Sequence, residues 1–425
     1  MTSHRKAIAR RRLIPLFLLP LAGLFVFLKI FLGLDESSTA IIWTDRPEFA
    51  LYAENFNTSQ DRYKIEVRYF ESLAQKLSST KQHPDIAVGS WLKSASTRSL
   101  FRPLDNFFRD KSINPDSFYS RLLTLGRIEN KQYLFPVSFN IPAMIFSKEN
   151  EQSFSSFFVA GLEEIKSLGK AYNRKTGGSF SRMGFSPVWN DEYLFVTVSL
   201  FNASFREASP LVWDPRALDQ AILYIRKWIQ EVNSGIEAED DFVFKYFYEP
   251  PAKLAVAGRI LFAYMDSSEF FTLSSELRSG LDFRWIAEDG AIPLSEAAVY
   301  LGICKAGKAA RAFTKWFFMD ETQLGLMEKS RTSRMIETHF GIASGFSALK
   351  TVTEQVFPQY YPGLLGHMPP EAFLTPPNIL PRNWPALKER VILPYLHDRI
   401  RSPAGEEVRS LERSLAEWLR VNPGL

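Results

Sequence analysis

Aromatic rings and directional polar groups fall side by side at five places in this 425-residue chain, a pairing suited to gripping a molecule. Asp45 and Arg46 follow the apolar run Ala40–Trp43, and Ser90, Trp91 and Lys93 follow the run ending at Gly89. Ser138 and Asn140 interrupt the apolar stretch 132–146, Trp189 and Asn190 close Phe185–Asn190, and Tyr264, Asp266 and Ser267 lie at the end of Arg259–Met265. A ring supplies a flat apolar face, while carboxylate, amide, hydroxyl and guanidinium groups orient a ligand by hydrogen bonds. Each set also has a plain structural reading. Asp45 and Arg46 can be a helix cap and a surface pair, Trp91 and Trp189 packing anchors, Ser138 and Asn140 partners of backbone groups, and Asp266 an Asx turn.

Bond-making chemistry has less support. No GxSxG, nucleotide fingerprint or phosphate-loop pattern occurs, and the five histidines are scattered without HExxH spacing. Gly177-Gly178 lies in the polar stretch Asn173–Ser181 and reads as a flexible turn. Glu239-Asp240-Asp241 reads as a solvated acidic loop rather than a metal site. The lone Cys304 excludes an internal disulfide and cysteine-pair zinc sites, and its apolar neighbours predict a buried small hydrophobe. No cofactor or metal is therefore expected. A sugar hydrolase still needs only two carboxylates placed by the fold, so missing motifs alone do not exclude an enzyme.

The N-terminus sets the compartment. Arg5, Lys6, Arg10, Arg11 and Arg12 precede Leu13–Leu34, an apolar run broken only by Lys29. At 1.5 Å per residue such a run crosses a hydrocarbon core of about 30 Å. The basic cap 1–12 is expected to stay cytoplasmic and the body to be exported. The run is long for a cleavable signal, and Ser38-Thr-Ala40 is a weak cleavage site, so a retained anchor is favoured over a secreted product. Six of the 51 bases and two of the 47 acids lie in residues 1–40, which leaves 45 of each in the body. A balanced body offers no electrostatic footprint for nucleic acid.

Elements that would position these residues alternate. Ala40–Trp43 reads as a strand, Pro47 opens a helix, Asn57–Asp61 is a turn, and Tyr63–Tyr69 alternates with period two. A short helix over Leu73–Leu77 and a strand over 84–88 follow, which predicts a parallel, doubly wound sheet with ligands beyond its strand ends. Strands are also expected at Pro142–Phe146, Ile260–Met265 and Ala297–Cys304, and helices over 158–171, 190–203, 215–233, 249–257, 307–319, 321–328, 385–400 and 404–420. The Pro-rich stretch 358–385 reads as irregular. Trp43, Trp228, Trp316 and Trp418 sit in apolar patterns that predict core, whereas Trp285 and Trp384 fit either role.

Several stretches, in order, carry a resemblance: Ile-Ile-Trp-Thr-Asp-Arg-Pro-Glu48, His-Pro-Asp-Ile-Ala-Val-Gly-Ser-Trp91 and Tyr-Leu-Phe-Pro-Val-Ser-Phe-Asn-Ile-Pro-Ala-Met-Ile-Phe-Ser-Lys148. Leu-Ala-Val-Ala-Gly-Arg-Ile-Leu-Phe-Ala-Tyr-Met265 and Ala-Ala-Arg-Ala-Phe-Thr-Lys-Trp-Phe317 continue it. Across most of 40–330 the set resembles bacterial extracellular solute-binding proteins of family 1, the sugar-type capture subunits of ABC importers. The lipidated cysteine usual in that family is missing, and the apolar segment takes its place.

The resemblance implies an α/β, two-lobed periplasmic-binding-protein-like fold of type II behind one N-terminal helix. It implies one lobe from 40–140 with 290–335 and another from 145–285 with 340–425, joined near Val137–Phe146 and Ile286–Leu301. Function would be capture of a solute, most simply a sugar or oligosaccharide, with lobe closure, no bond chemistry, and delivery by a monomer to membrane permease subunits. The alternatives are a type II membrane-anchored glycan-active enzyme and a ligand sensor built on the same fold.

Overall fold

The structure, a computed structural model, describes residues 38–403 and 408–422; the expected anchor at Leu13–Leu34 lies outside them. Among the described residues no helix is long and apolar enough to cross a membrane.

Ten strands make the two larger sheets: β1 Thr39–Thr44, β2 Lys64–Tyr69, β3 Ile86–Gly89, β4 Leu134–Phe139, β5 Pro142–Ser147, β6 Val159–Ala160, β7 Ala263–Asp266, β8 Leu281–Ile286, β9 Val299–Ile303 and β10 Phe346–Ser347. The first sheet has the order β10-β4-β9-β3-β1-β2, and the second β7-β5-β8-β6. Both are flanked by helices, of which the site involves α1 Phe49–Ser59, α2 Leu73–Ser79, α3 Ala95–Arg98, α4 Leu162–Tyr172, α5 Asp191–Leu200, α6 Pro215–Asn233 and α7 Ile236–Tyr246.

β1 is parallel to β2 and β3, with Ile42 opposite Val67 and Ile86. The first sheet is nonetheless mixed, not parallel throughout as the sequence pattern predicts. β9 runs antiparallel to β3 and β4 because the chain re-enters this sheet from the second one, at the edge where β1, β3 and β4 end. The chain passes between sheets at Asn140–Ile141 and again over 287–298. In the second sheet Asp266 at the end of β7 stands opposite Pro142, and Trp285 in β8 opposite Ala143. Strand ends from both sheets therefore gather around the crossings.

Three stretches depart from the sequence reading. Residues 340–361, grouped there with 145–285, add an edge strand to the first sheet, with Phe346 opposite Phe139 of β4, while Phe340, Phe346 and Tyr361 also meet Phe271 and Trp285. β8 is a strand the sequence reading left out, with buried Arg284 stacked over Phe146 and Phe154 and paired with Asp282. The acidic run 239–241 lies inside α7 rather than in a loop. There Asp240 pairs with Arg401 and Asp241 with Lys245, while Glu239 is buried and accepts from Asn233 at 2.6 Å.

Burial pushes the Glu239 carboxyl up to about 7. The folded chain thus holds a proton that the unfolded chain releases near the ordinary carboxyl value, and stability falls as pH rises between the two. The full window is worth on the order of 3 kcal/mol. Thermal melts at pH 5 and pH 8 should therefore diverge in the native chain, and Glu239→Gln should remove much of that divergence. An unchanged pH slope in the variant would assign it elsewhere.

Candidate functional site

At the shared ends of β1 and β3 the side chains lock together. Ser90 donates its amide to Asp45 Oδ2 at 2.9 Å and its hydroxyl to the Ala297 carbonyl at 3.0 Å, while Arg46 Nη2 donates to Ser90 Oγ at 2.7 Å. Arg46 Nε lies 3.4 Å from Asp45 Oδ1. Burial pushes the Asp45 carboxyl up, against the opposing pull of Arg46 and of the Ser90 amide. Gly89 makes this approach possible, since a Cβ there would stand 2.7 Å from Asp45 Oδ1. Trp91 follows with φ +65°, a left-handed backbone that is rare for a bulky side chain and tends to occur at functional sites.

Asp45, Arg46, Ser90 and Trp91 face a cavity of about 360 Å³ whose other walls are the start of α2 with the residues before it, Ala297, and the segment Arg382–Ala386. That segment is carried by Trp384, fully buried between Phe195 of α5 and Phe205. Trp91 packs against two apolar clusters, one that spans both sheets and one formed by α5, α6 and residues 380–415. The cavity is charge-balanced, with Asp45 and Glu71 among its lining residues set against Arg46 and Arg382.

The other sequence candidates lie elsewhere. Ser138 Oγ donates to the Ala343 carbonyl at 3.1 Å, and Asn140 Nδ2 to that of Ser344 at 2.9 Å. Asn140 Oδ1 accepts from buried Ser267 at 2.6 Å, so the first crossing satisfies its own polar groups. Asn190 caps α5 and Asp266 caps the helix Ser267–Thr272 in a capping box with Glu269. Lys93 is buried with Nζ 4.7 Å from the Tyr300 ring, and burial lowers its ammonium to about 8. Trp189 stacks on Phe242 at 5.6 Å and abuts Phe185 and Phe247, an anchor between α5 and α7.

Tyr264 lines a second cavity, of about 340 Å³, beyond the crossing residues Leu294–Glu296. Sequence reasoning missed three charged residues here. Lys388 Nζ donates to Glu192 at 2.7 Å and to Glu296 at 2.8 Å while lying 4.4 Å from the Phe195 ring. Burial alone would lower the Lys388 ammonium, but the two carboxylates reverse this and hold it above the ordinary lysine value.

Compared with known proteins, residues 52–333 match the profile of the bacterial extracellular solute-binding proteins. The chain belongs to that family. No curated protein matches it significantly. Among solved structures, an ABC substrate-binding protein from Listeria monocytogenes in complex with cycloalternan aligns with TM-score 0.61 and 11% identity over 91% of this chain and 99% of its own. The cyclic alpha-maltosyl-1,6-maltose binding protein of Arthrobacter globiformis gives 0.60 and 16% over 89% and 96%. The maltotriose binding protein of Thermus thermophilus, bound with maltotriose, gives 0.57 and 13% over 90% and 100%. Identities this low establish a shared mixed α/β fold.

In this solute-binding protein a second contact joins the loop after α5 to α3. Glu207, on the loop after α5, accepts the Ala95 amide at the start of α3 with both oxygens, at 2.8 and 3.1 Å, and lies 4.0 Å from Arg98. Its own amide donates to the Ile379 carbonyl. The family places the body of such a protein outside the cytoplasm.

Proposed function

We propose that this solute-binding protein captures a sugar or oligosaccharide between two lobes of the type II periplasmic-binding-protein kind and delivers it, by lobe closure, to ABC permease subunits. The observation that supports this reading is the cavity between Asp45, Arg46, Ser90 and Trp91 on one side and Arg382 and Asn383 on the other, which the proposed lobes would put in opposite halves. A molecule seated there touches both halves, and a ligand shifts an open–closed equilibrium only by preferring one state. Carbohydrate suits these walls. The Trp91 ring can take the C–H face of a pyranose, while carboxylate, guanidinium and amide groups meet its hydroxyls.

Direct contact is assigned to Asp45, Arg46, Ser90 and Trp91. Ser138, Asn140 and Ser267 hold the crossing, Trp189 anchors and Asn190 and Asp266 cap neighbouring helices, and Lys93 supports the loop after β3. The segment Leu13–Leu34 serves as the tether, and the body works as a monomer beside its permease.

The test is a thermal-shift series on the full-length protein in detergent, with sugars, polyols, oligosaccharides, amino acids and peptides. A matching carbohydrate should raise stability by about 2.7 kcal/mol at a hundredfold excess over its dissociation constant. Arg46→Ala, which removes the donor to Ser90 Oγ, should weaken that ligand at least about tenfold, roughly 1.4 kcal/mol. A response to amino acids or peptides with none to any carbohydrate would overturn the ligand class.

A further inference from the structure

Glu207 does not line the cavity at Asp45, yet it is bonded to the stretches that carry two of its walls. On one side stand Ser90 and Trp91. Just after them, fully buried Thr97 donates its hydroxyl to the Leu92 carbonyl at 2.8 Å, which closes residues 92–97 into one unit. α3 begins inside that unit at Ala95, and its first amide has no local partner. Serine commonly caps a helix, but the Ser94 hydroxyl lies 2.9 Å from that of Ser96 and 3.2 Å from that of Thr97 and makes no cap bond. The Ala95 amide is satisfied by the Glu207 carboxylate instead, from 112 positions away, and Arg98 of the same helix lies 4.0 Å from it. On the other side, the Glu207 amide donates to the Ile379 carbonyl at 2.7 Å and Asn378 Nδ2 to the Phe205 carbonyl at 3.3 Å. The Phe205 ring lies 5.5 Å from that of Trp384, which carries the wall Arg382–Ala386.

We propose that Glu207 is a positioning residue that sets the spacing between the Trp91 and Arg382 walls, and through it the affinity for the solute held there, without touching that solute. Its main chain grips one wall and its side chain the other, so neither can shift against the other without breaking a bond to this residue. A carboxylate accepting a backbone amide makes a charge-assisted hydrogen bond, about twice as strong as a neutral one. The Glu207 side chain is 20% exposed, which limits competition from water. Walls already held at their bound spacing lower the ordering cost of binding, and losses of this kind show mostly as faster release. The inference rests on the reading of this cavity as the solute site, but the spacing itself can be measured with no solute present.

Spin labels on Gln82→Cys and Glu389→Cys, exposed positions outside the cavity, report the spacing in the full-length protein, where the native Cys304 is buried. The chain with Glu207 intact should give one narrow distance distribution and Glu207→Ala a broader one. Glu207→Gln keeps one acceptor oxygen but loses the charge facing Arg98, and should fall between them. Isothermal titration with maltotriose and mannotriose should then show at least about tenfold weaker binding by Glu207→Ala of whichever sugar the native chain binds, with thermal melts little changed. A distribution unchanged in Glu207→Ala overturns the proposal, even if the variant melts lower, because the contact would then serve stability alone. A broadened distribution with undiminished affinity overturns it as well. If neither sugar binds the native chain, the carbohydrate reading fails for both, while the label distances still decide whether Glu207 spaces the walls.

Discussion

Replacing Trp91 with alanine should cost at least about tenfold in carbohydrate affinity while moving thermal stability little, and the same change at Trp189 should do the reverse. Trp91 is half-buried, faces the cavity, and pays for a left-handed backbone. Its truncation removes ring surface from the cavity wall, and, the ring being only partly buried, less packing from the two clusters it touches than loss of a core ring would. Trp189 sits among Phe185, Phe242 and Phe247, and its loss should leave a void costing about 3–5 kcal/mol, in the range of large aromatic truncations. Calorimetric melts and ligand titration on both variants test the division. A third variant sharpens it: Trp91→Gly should be more stable than Trp91→Ala by about 1 kcal/mol, because glycine carries no left-handed penalty. A Trp91→Ala protein with full affinity would remove this residue from the site. A Trp189→Ala protein that melts normally but no longer binds would put Trp189 into it.

How much of this was readable beforehand depends on range. Asp45 and Ser90 were legible because an apolar, β-branched run followed at once by polar residues marks a buried strand end, and parallel neighbours bring such ends to one edge. β8 obeyed the period-two rule through Leu281, Phe283 and Trp285, but Asp282 and Arg284 disguised it. Arg284 is buried only because the fold supplies two phenylalanine faces and an acid. α7 was hidden by three successive acids, one of which turns inward to Asn233. The placement of 340–361 hangs on a two-residue strand, too short to leave a periodic signal. The Lys388 cluster was beyond reach, since its hydrogen bonds span 196 and 92 positions in sequence. Local pattern locates strand ends, whereas charge pairing across the crossing is a tertiary fact.

That pairing yields the second large effect. Lys388→Met should destabilise the protein by about 3–5 kcal/mol near neutral pH, the usual result of stranding one member of a buried ion pair. Glu192 can turn to water, its side chain being 59% exposed, but Glu296 is 15% exposed and Lys388 only 7%. Burial already holds the Glu296 carboxyl above its ordinary value, against the pull of Lys388. With the ammonium gone that value must rise further, so the stranded group takes up a proton as pH falls and the penalty shrinks with it. Melts of Lys388→Met should therefore lie closest to those of the native chain in acid and furthest from them in mild alkali. Adding Glu296→Gln removes the stranded charge, and the double variant should recover most of the loss. Were the double variant no more stable than Lys388→Met, the cost would come from lost packing of the lysine stem against Phe195, and the ion pair would not be what holds the C-terminal segment to the crossing.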